Sequence, residues 1–141
     1  MSVDKLIKEG RIHHFEASQE EIDKPLEIAQ RDLALAEKIL QDNLDWCFSI
    51  TYNAIFQACR AYMFSLGYRP ATNQAHKATF EFMELTIEKP HKETITYFDR
   101  ARKKRHRIMY NEAGSVSKRE AEELLKMARS FIVEIEKRLW K

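Results

Sequence analysis

The chain has 141 residues, with 24 Lys and Arg against 22 Asp and Glu, a net charge of +2, three glycines and three prolines. A chain of this length supports one hydrophobic core, so we expect a single domain over residues 1–141. The near balance of charge excludes a polycation that binds nucleic acid along its whole surface, so any basic site must be local. Few glycines and prolines beside many strong helix formers predict an all-α protein.

The N-terminal segment MSVDKLIKEG carries acidic residues and lacks an apolar run. It is therefore not a predicted signal peptide, and we expect a cytoplasmic protein. The two cysteines, Cys47 and Cys59, lie twelve residues apart in one apolar stretch and form no CxxC pair, so we expect buried free thiols. Because the sequence contains no HExxH, Cys/His cluster or glycine-rich phosphate loop, we predict neither a metal nor a cofactor.

Residues 1–19 are predicted to be an N-terminal extension with a short helix broken near Gly10. Ser18 and Glu21 have the spacing of a capping box, but a proline disturbs a helix that begins so early. We therefore predict the first regular helix from about Pro25 to Asp42. Apolar residues at spacings of three and four mark its buried face: Ile22, Leu26, Ala29, Leu33, Ala36 and Leu40. The next helix follows after a short polar turn, so the two should be antiparallel.

The stretch from Trp46 to Leu66 is predicted to be the central helix, because 15 of its 21 residues are apolar and occupy every side of a helical wheel. A membrane span is disfavoured because polar residues, including an arginine, interrupt the run. Those polar residues recur at spacings of four, four and three, and they form one seam along the helix: Ser49, Asn53, Gln57 and Arg60. We therefore predict that a polar group lies opposite this seam.

Three further helices are predicted after the central helix. Asn73 is predicted to cap the first of them, and Lys89-Pro90 to close it. The second runs from about Lys92 to Asn111, and a capping box at Ser117 and Glu120 begins the third. The sequence has no strand alternation and no internal repeat. The predicted architecture is an up-and-down bundle of four or five main helices.

The segment YFDRARKKRHRIMYNEAG contains six arginines and lysines within eight positions, and their places on a helical wheel divide them into two groups. The first group lies in one arc away from the apolar side: Arg100, Lys103, Lys104 and Arg107. Such an arc is typical of a solvated helix face. It equally suits a surface that binds RNA phosphates.

Arg102 and Arg105 form the second group, because positions 95, 98, 102, 105 and 109 advance by three and four along the apolar stripe. Permanent cations in such a stripe need a partner. Core carboxylates such as Glu81 or Glu84 could neutralise them, or the two arginines could line a cleft or subunit groove that binds an anion. We favour the cleft because a histidine and a tyrosine follow Arg105 within five residues.

These residues resemble the HEPN family of small helical bundles, whose penultimate long helix carries an arginine, usually an asparagine, three variable residues and a histidine. The segment Arg105-His106-Arg107-Ile108-Met109-Tyr110 has this frame. A second similarity is a Tyr-x-Ala element in the central helix, Tyr52-Asn53-Ala54, followed by Arg60-Ala61, a Gly-Tyr-Arg-Pro turn and His76. The resemblance covers roughly residues 20–140.

The resemblance implies a HEPN-like domain that acts on RNA. Active members are metal-independent endoribonucleases in which two copies of the motif meet in a homodimer cleft, and other members only bind RNA or nucleotide. In active members the arginine steadies the scissile phosphate and the histidine moves a proton. By position, Arg105 would hold the phosphate, His106 replaces the usual asparagine, and Tyr110 replaces the histidine. Because tyrosine is a poor proton acceptor at neutral pH without neighbouring cations, His106 is the alternative base.

The resemblance also implies a protein partner. Many similar proteins are toxins paired with a minimal nucleotidyltransferase that acts as antitoxin, so a nucleotidyltransferase is the expected partner beside a second copy of the chain. Two alternatives stay open. One is a non-enzymatic helical module that binds such a partner through the same arginines, and the other is a structural bundle in which the arginines have no binding function.

Overall fold

The computed structural model describes residues 1–140, which form an α-helical bundle with one small antiparallel sheet. The helices are α1 (Val3–Lys8), α2 (Gln19–Ile39), α3 (Leu44–Ser65), α4 (Ala75–Thr86), α5 (Lys89–Tyr110) and α6 (Lys118–Leu139), and the strands are β1 (Ile12–His14) and β2 (Tyr68–Pro70). The all-α prediction is confirmed, with four long helices and the shorter α4. Within residues 1–140, no helix has the length and apolarity to span a membrane.

Helix α3 is the centre of the bundle. It packs against α2 and α6, and also against α4 and α5. Its buried residues include both cysteines, which are free thiols as predicted. Only the ends of the apolar stretch leave the core, since Trp46 is 51% exposed and Leu66 is 46% exposed.

Helix α2 begins six residues before the predicted start at Pro25. Ser18 Oγ accepts from the Glu21 amide at 3.1 Å, and the Glu21 carboxylate accepts from the Ser18 amide at 3.0 Å, so the capping box is complete. Pro25 lies inside the helix, where it removes one backbone hydrogen bond. The prediction was wrong because this loss is offset by two capping hydrogen bonds and by burial of Pro25 and Leu26.

The N-terminal extension folds onto the bundle through a sheet that the sequence did not predict. Ile12 pairs with Pro70 and His14 with Tyr68, in runs of three residues that are too short to show an alternating pattern. Gly10 has a φ of +70° just after α1, which agrees with the predicted break in that helix. Arg11 then forms a salt bridge with Glu81 of α4, which also attaches the extension to the bundle.

Two predicted helix boundaries near α4 are also wrong. Gln74 rather than Asn73 precedes α4, in a left-handed conformation and without a side-chain cap. Helix α5 begins at Lys89, three residues before the predicted start, because Pro90 fits the first turn, where its missing amide hydrogen costs no helical hydrogen bond. The capping box at Ser117 and Glu120 is confirmed.

The capping box of α2 gives a stability prediction. We expect Ser18→Ala to lower the free energy of unfolding by about 1 kcal/mol, because it removes the acceptor for the Glu21 amide. Urea denaturation followed by circular dichroism measures the change. Ser130→Ala, at an exposed position inside α6, is the matched control and should cause no loss. Equal stability of Ser18→Ala and wild type would contradict the role of this cap.

Candidate anion-binding site

The buried stripe of α5 is rotated by about one residue from the predicted one. Its buried members are Ile95, Phe98, Ala101 and Ile108. Met109, which the spacing placed in the stripe, is 43% exposed. Arg102 and Arg105 therefore flank the stripe and are only partly buried.

Arg105 lies above an aromatic ring and has no acidic partner. Its guanidinium carbon lies 5.6 Å from the centre of the Tyr52 ring, a distance typical of a cation–π contact. The Nε atom is shielded from solvent and makes no hydrogen bond within residues 1–140. The side chain borders a cleft of about 190 Å³ between α2, α3 and α5, with Asp32, Leu35, Trp46, Ser49, Ile50, Asn53 and Met109 as its other lining residues.

Arg102 is neutralised within its own helix. Its Nε atom donates to the Asp99 carboxylate at 2.8 Å. Glu81, one of the carboxylates considered as a partner, instead binds Arg11. Arg102 and Lys103 line a separate cleft of about 370 Å³ together with Glu81 and Glu84. Each of the two alternatives, neutralisation by a carboxylate and lining of a cleft, therefore applies to one arginine. Arg102 is paired with an acid, and Arg105 lines a cleft.

The remaining basic residues of α5 lie mostly beside acids. Lys104 Nζ lies 3.2 Å from the Glu120 carboxylate, and Arg107 Nε lies 3.8 Å from that of Glu112. Arg100 lies over the ring of Tyr97 at 5.9 Å. Arg100, Lys104 and Arg107 border a hollow of about 220 Å³, whereas Lys103 borders the cleft beside Arg102. This arrangement is closer to a solvated face with local ion pairs than to one continuous phosphate-binding surface.

His106 and Tyr110 form an exposed pair at the end of α5. Their ring centres lie 4.7 Å apart, and Tyr110 is 73% exposed. Tyr110 does not border the cleft of Arg105, since five residues along a helix correspond to a rotation of roughly 140°. A single chain therefore places the arginine and the tyrosine of the predicted motif on different sides of α5.

The Tyr52 ring, over which Arg105 lies, is itself held in place by His76 and Phe56. The Tyr52 hydroxyl and His76 Nδ1 share a hydrogen bond of 2.7 Å, and the His76 ring stacks on Phe56 at 3.8 Å. Burial, reinforced by the positive charges of Arg105, Arg102 and Arg60, lowers the pKa of His76 to about 4. Burial also raises the pKa of Tyr52. At neutral pH Arg105 therefore faces a neutral phenol held by a neutral imidazole.

The sequence drew attention to Tyr52 and His76 only through family resemblance. A spacing of four places Tyr52 and Phe56 on the same side of α3, but their contact with His76 joins distant parts of the chain, since Tyr52 and His76 are 24 positions apart. The polar seam predicted a polar group opposite it but did not identify the residue, which is Asp32, a buried side chain of α2. Its Oδ2 accepts from Asn53 at 2.7 Å and its Oδ1 lies 2.9 Å from Arg31, which confirms the polar group predicted opposite the seam.

The fold and the site define a helical-bundle protein whose penultimate long helix carries a partly buried arginine that forms no salt bridge within residues 1–140. A model of the HEPN domain matches residues 22–138, so the chain belongs to the HEPN domain family. The family is that of helical domains related to nucleotide and RNA binding. Among curated proteins, no match is found. Within residues 1–140, no three His, Cys, Asp or Glu side chains form a group that could hold a metal ion.

The lowered pKa of His76 predicts that the stability of the folded protein depends on pH. Its pKa is about 4 in the folded protein and 6.5 ordinarily, so between these values the unfolded chain binds more protons than the folded one. His76 therefore contributes stability that is present above a pH of about 6.5 and is lost as the pH falls towards 4. We expect wild type to lose more stability over this range than His76→Asn, as measured by urea midpoints.

The matched control is His13→Asn, at an exposed position of β1, which should keep the wild-type pH dependence. Parallel curves for wild type and His76→Asn would contradict the lowered pKa.

Proposed function

We propose that the protein binds the phosphate backbone of RNA and that Arg105 is the principal phosphate ligand. One observation carries the proposal, namely that the partly buried guanidinium of Arg105 borders an open cleft without a salt bridge, since Asp32, the carboxylate of that cleft, binds Asn53 and Arg31. A charge in this position is favourable when an anion completes its coordination. The cleft holds about 190 Å³, which suits a phosphate group and is below the range of roughly 300–1,000 Å³ typical of pockets that enclose a small organic molecule.

Binding is better supported than cleavage. The residue in the position of the family's histidine is Tyr110, which lies in solvent beside His106 and away from Arg105. A wider form of the proposal adds RNA cleavage and a role as a toxin to RNA binding. They require a second copy of α5, because only another chain could bring His106 or Tyr110 to a phosphate held by Arg105.

We also propose a homodimer in which the two α5 helices face each other. Three large apolar side chains surround the Arg105 cleft, and each is about half exposed: Leu35 at 45%, Trp46 at 51% and Met109 at 43%. An apolar rim of this kind is typical of an interface. A twofold axis at this rim would bury it and place the two Arg105 clefts side by side.

If Arg105 binds a phosphate, Arg105→Gln should bind RNA more weakly than wild type. We expect binding of a labelled single-stranded RNA at low salt to weaken about tenfold or more, since a charge-assisted hydrogen bond contributes about 1.5–3 kcal/mol. Fluorescence anisotropy measures the dissociation constant, and the salt dependence should become shallower by about 0.7 for each phosphate that the protein no longer neutralises. Arg119→Gln, at an exposed position of α6, is the matched control and should leave the affinity unchanged.

Equal affinity of wild type and Arg105→Gln would remove Arg105 from the site. Absence of any RNA binding at low salt would remove the proposal as a whole. In the same preparations, RNA cleavage that His106→Ala and Tyr110→Phe reduce would support the ribonuclease form. Cleavage that both variants retain would contradict a role of these residues.

The apolar rim predicts that Trp46→Glu dissociates the dimer. A charge there must be desolvated in the proposed interface, whereas in a monomer the side chain lies half in solvent and the fold tolerates it. Light scattering after size exclusion measures the mass. Val133→Glu introduces the same charge at a position of α6 that is 45% exposed, and it should remain dimeric. A monomeric wild type would contradict the homodimer and assign the rim to a different protein partner.

A further inference from the structure

The polar seam of α3 leads from the Arg105 cleft towards Arg60. Asn53, Gln57 and Arg60 all remain partly exposed along it. Helix α2 packs against α3, and its Asp32 binds Asn53 of the seam. Helices α4 and α5 also pack against α3, where His76 stacks on Phe56 and Arg105 lies over Tyr52. The seam therefore has Arg105 near one end.

At the other end of this seam is Arg60, which resembles Arg105 in its surroundings. Its guanidinium lies 5.1 Å from the centre of the Phe64 ring and donates to the Gln57 side-chain oxygen at 2.8 Å. No carboxylate within residues 1–140 forms a salt bridge with it, and burial lowers its pKa. Arg60 is thus a second partly desolvated cation without an acid to neutralise it.

Arg60 borders a cleft of about 390 Å³ that is partly aromatic and has a small excess of positive charge. Lys24 and Arg69 border the same cleft, together with two carboxylates. Of these, Glu21 accepts a hydrogen bond from the Ser18 amide in the capping box, and Glu20 is exposed. The apolar wall contains Phe15, whose ring meets that of Phe64 edge to face at 5.0 Å. A cation beside aromatic rings suits a ligand with phosphates and planar bases.

We propose that Arg60 is a second phosphate-binding position and that the ligand is a single RNA strand lying along the polar seam of α3 from Arg105 to Arg60. This inference rests on the proposed RNA binding at Arg105. Arg60 follows Asn53 by two helical turns and Ser49 by three, and both of these residues border the Arg105 cleft. The two ends are therefore about 10–16 Å apart along α3.

This distance sets the length of RNA that can use both ends. At the rise of about 3.4 Å for each stacked nucleotide of one strand, it corresponds to about three to five nucleotides. A mononucleotide reaches only one arginine, whereas an oligonucleotide of about eight nucleotides reaches both. The base nearest Arg60 would stack in the cleft of Phe15 and Phe64.

The test compares RNAs of different length. Labelled oligouridylates of 2, 5 and 8 nucleotides are bound to wild type, Arg60→Gln and Arg105→Gln at low salt, with fluorescence anisotropy as readout. We expect wild-type affinity to rise with length, and Arg60→Gln to weaken binding of the 8-nucleotide RNA about tenfold while it changes that of the 2-nucleotide RNA by less than about twofold. Arg105→Gln should weaken binding at every length. Arg119→Gln is the control that changes none.

Three outcomes would overturn the inference. Arg60→Gln with wild-type affinity at every length would remove Arg60 from the path of the RNA while the proposed function stands. An equal weakening at every length would assign its effect to the fold or to the Arg105 site. A wild type that binds no RNA would remove the proposed function together with this inference.

Two further measurements do not depend on the folding of Arg60→Gln. Arg60→Lys keeps the positive charge and should recover most of the affinity for the 8-nucleotide RNA. In wild type, an 8-nucleotide RNA that contains 4-thiouridine should crosslink on irradiation to peptides with Phe15 or Phe64. Crosslinks confined to α5 would contradict this path of the RNA along α3.

Discussion

The contact between Arg105 and Tyr52 is the interaction on which the candidate site depends. A guanidinium at the edge of a helical bundle ordinarily has a carboxylate partner, but Arg105 lies over a phenol instead. The phenol is fixed by His76, which in turn stacks on Phe56. Because burial raises the pKa of Tyr52 and keeps the phenol protonated, this support orients the cation without neutralising it. The positive charge of Arg105 therefore remains available to a ligand.

The other cations of α5 explain why a run of six basic residues is not a uniformly basic surface. Arg102, Lys104 and Arg107 each have an acid nearby, on the same helix, on α6 or in the connecting loop. Such exposed or half-exposed pairs contribute little to stability, but they reduce the local field. Three arginines instead lie over aromatic rings, namely Arg60, Arg100 and Arg105. Arg60 and Arg105 share this construction at the two ends of one polar seam.

Particular residues show where prediction from the sequence succeeded and where it failed. The polar seam of α3 predicted a buried polar partner, and Asp32 is that partner. The spacing on α5 identified Arg105, but it placed Met109 rather than Ile108 in the buried stripe, because a helical pattern defines a face only to within about one residue. The start of α2 was misjudged because the cost of Pro25 was weighed without the burial that offsets it.

The sequence by itself determined the all-α class, the central helix, the capping box of α6 and the basic motif of α5, because all of these follow from local spacing and residue type. Only the tertiary structure decided which arginine keeps its charge free, since Asp99 neutralises Arg102 while Tyr52 and His76 support Arg105. The pairing of β1 with β2 and the contact of Asp32 with the polar seam of α3 were decided there too. These features join residues that are distant in the chain, and local periodicity contains no information about which of them meet.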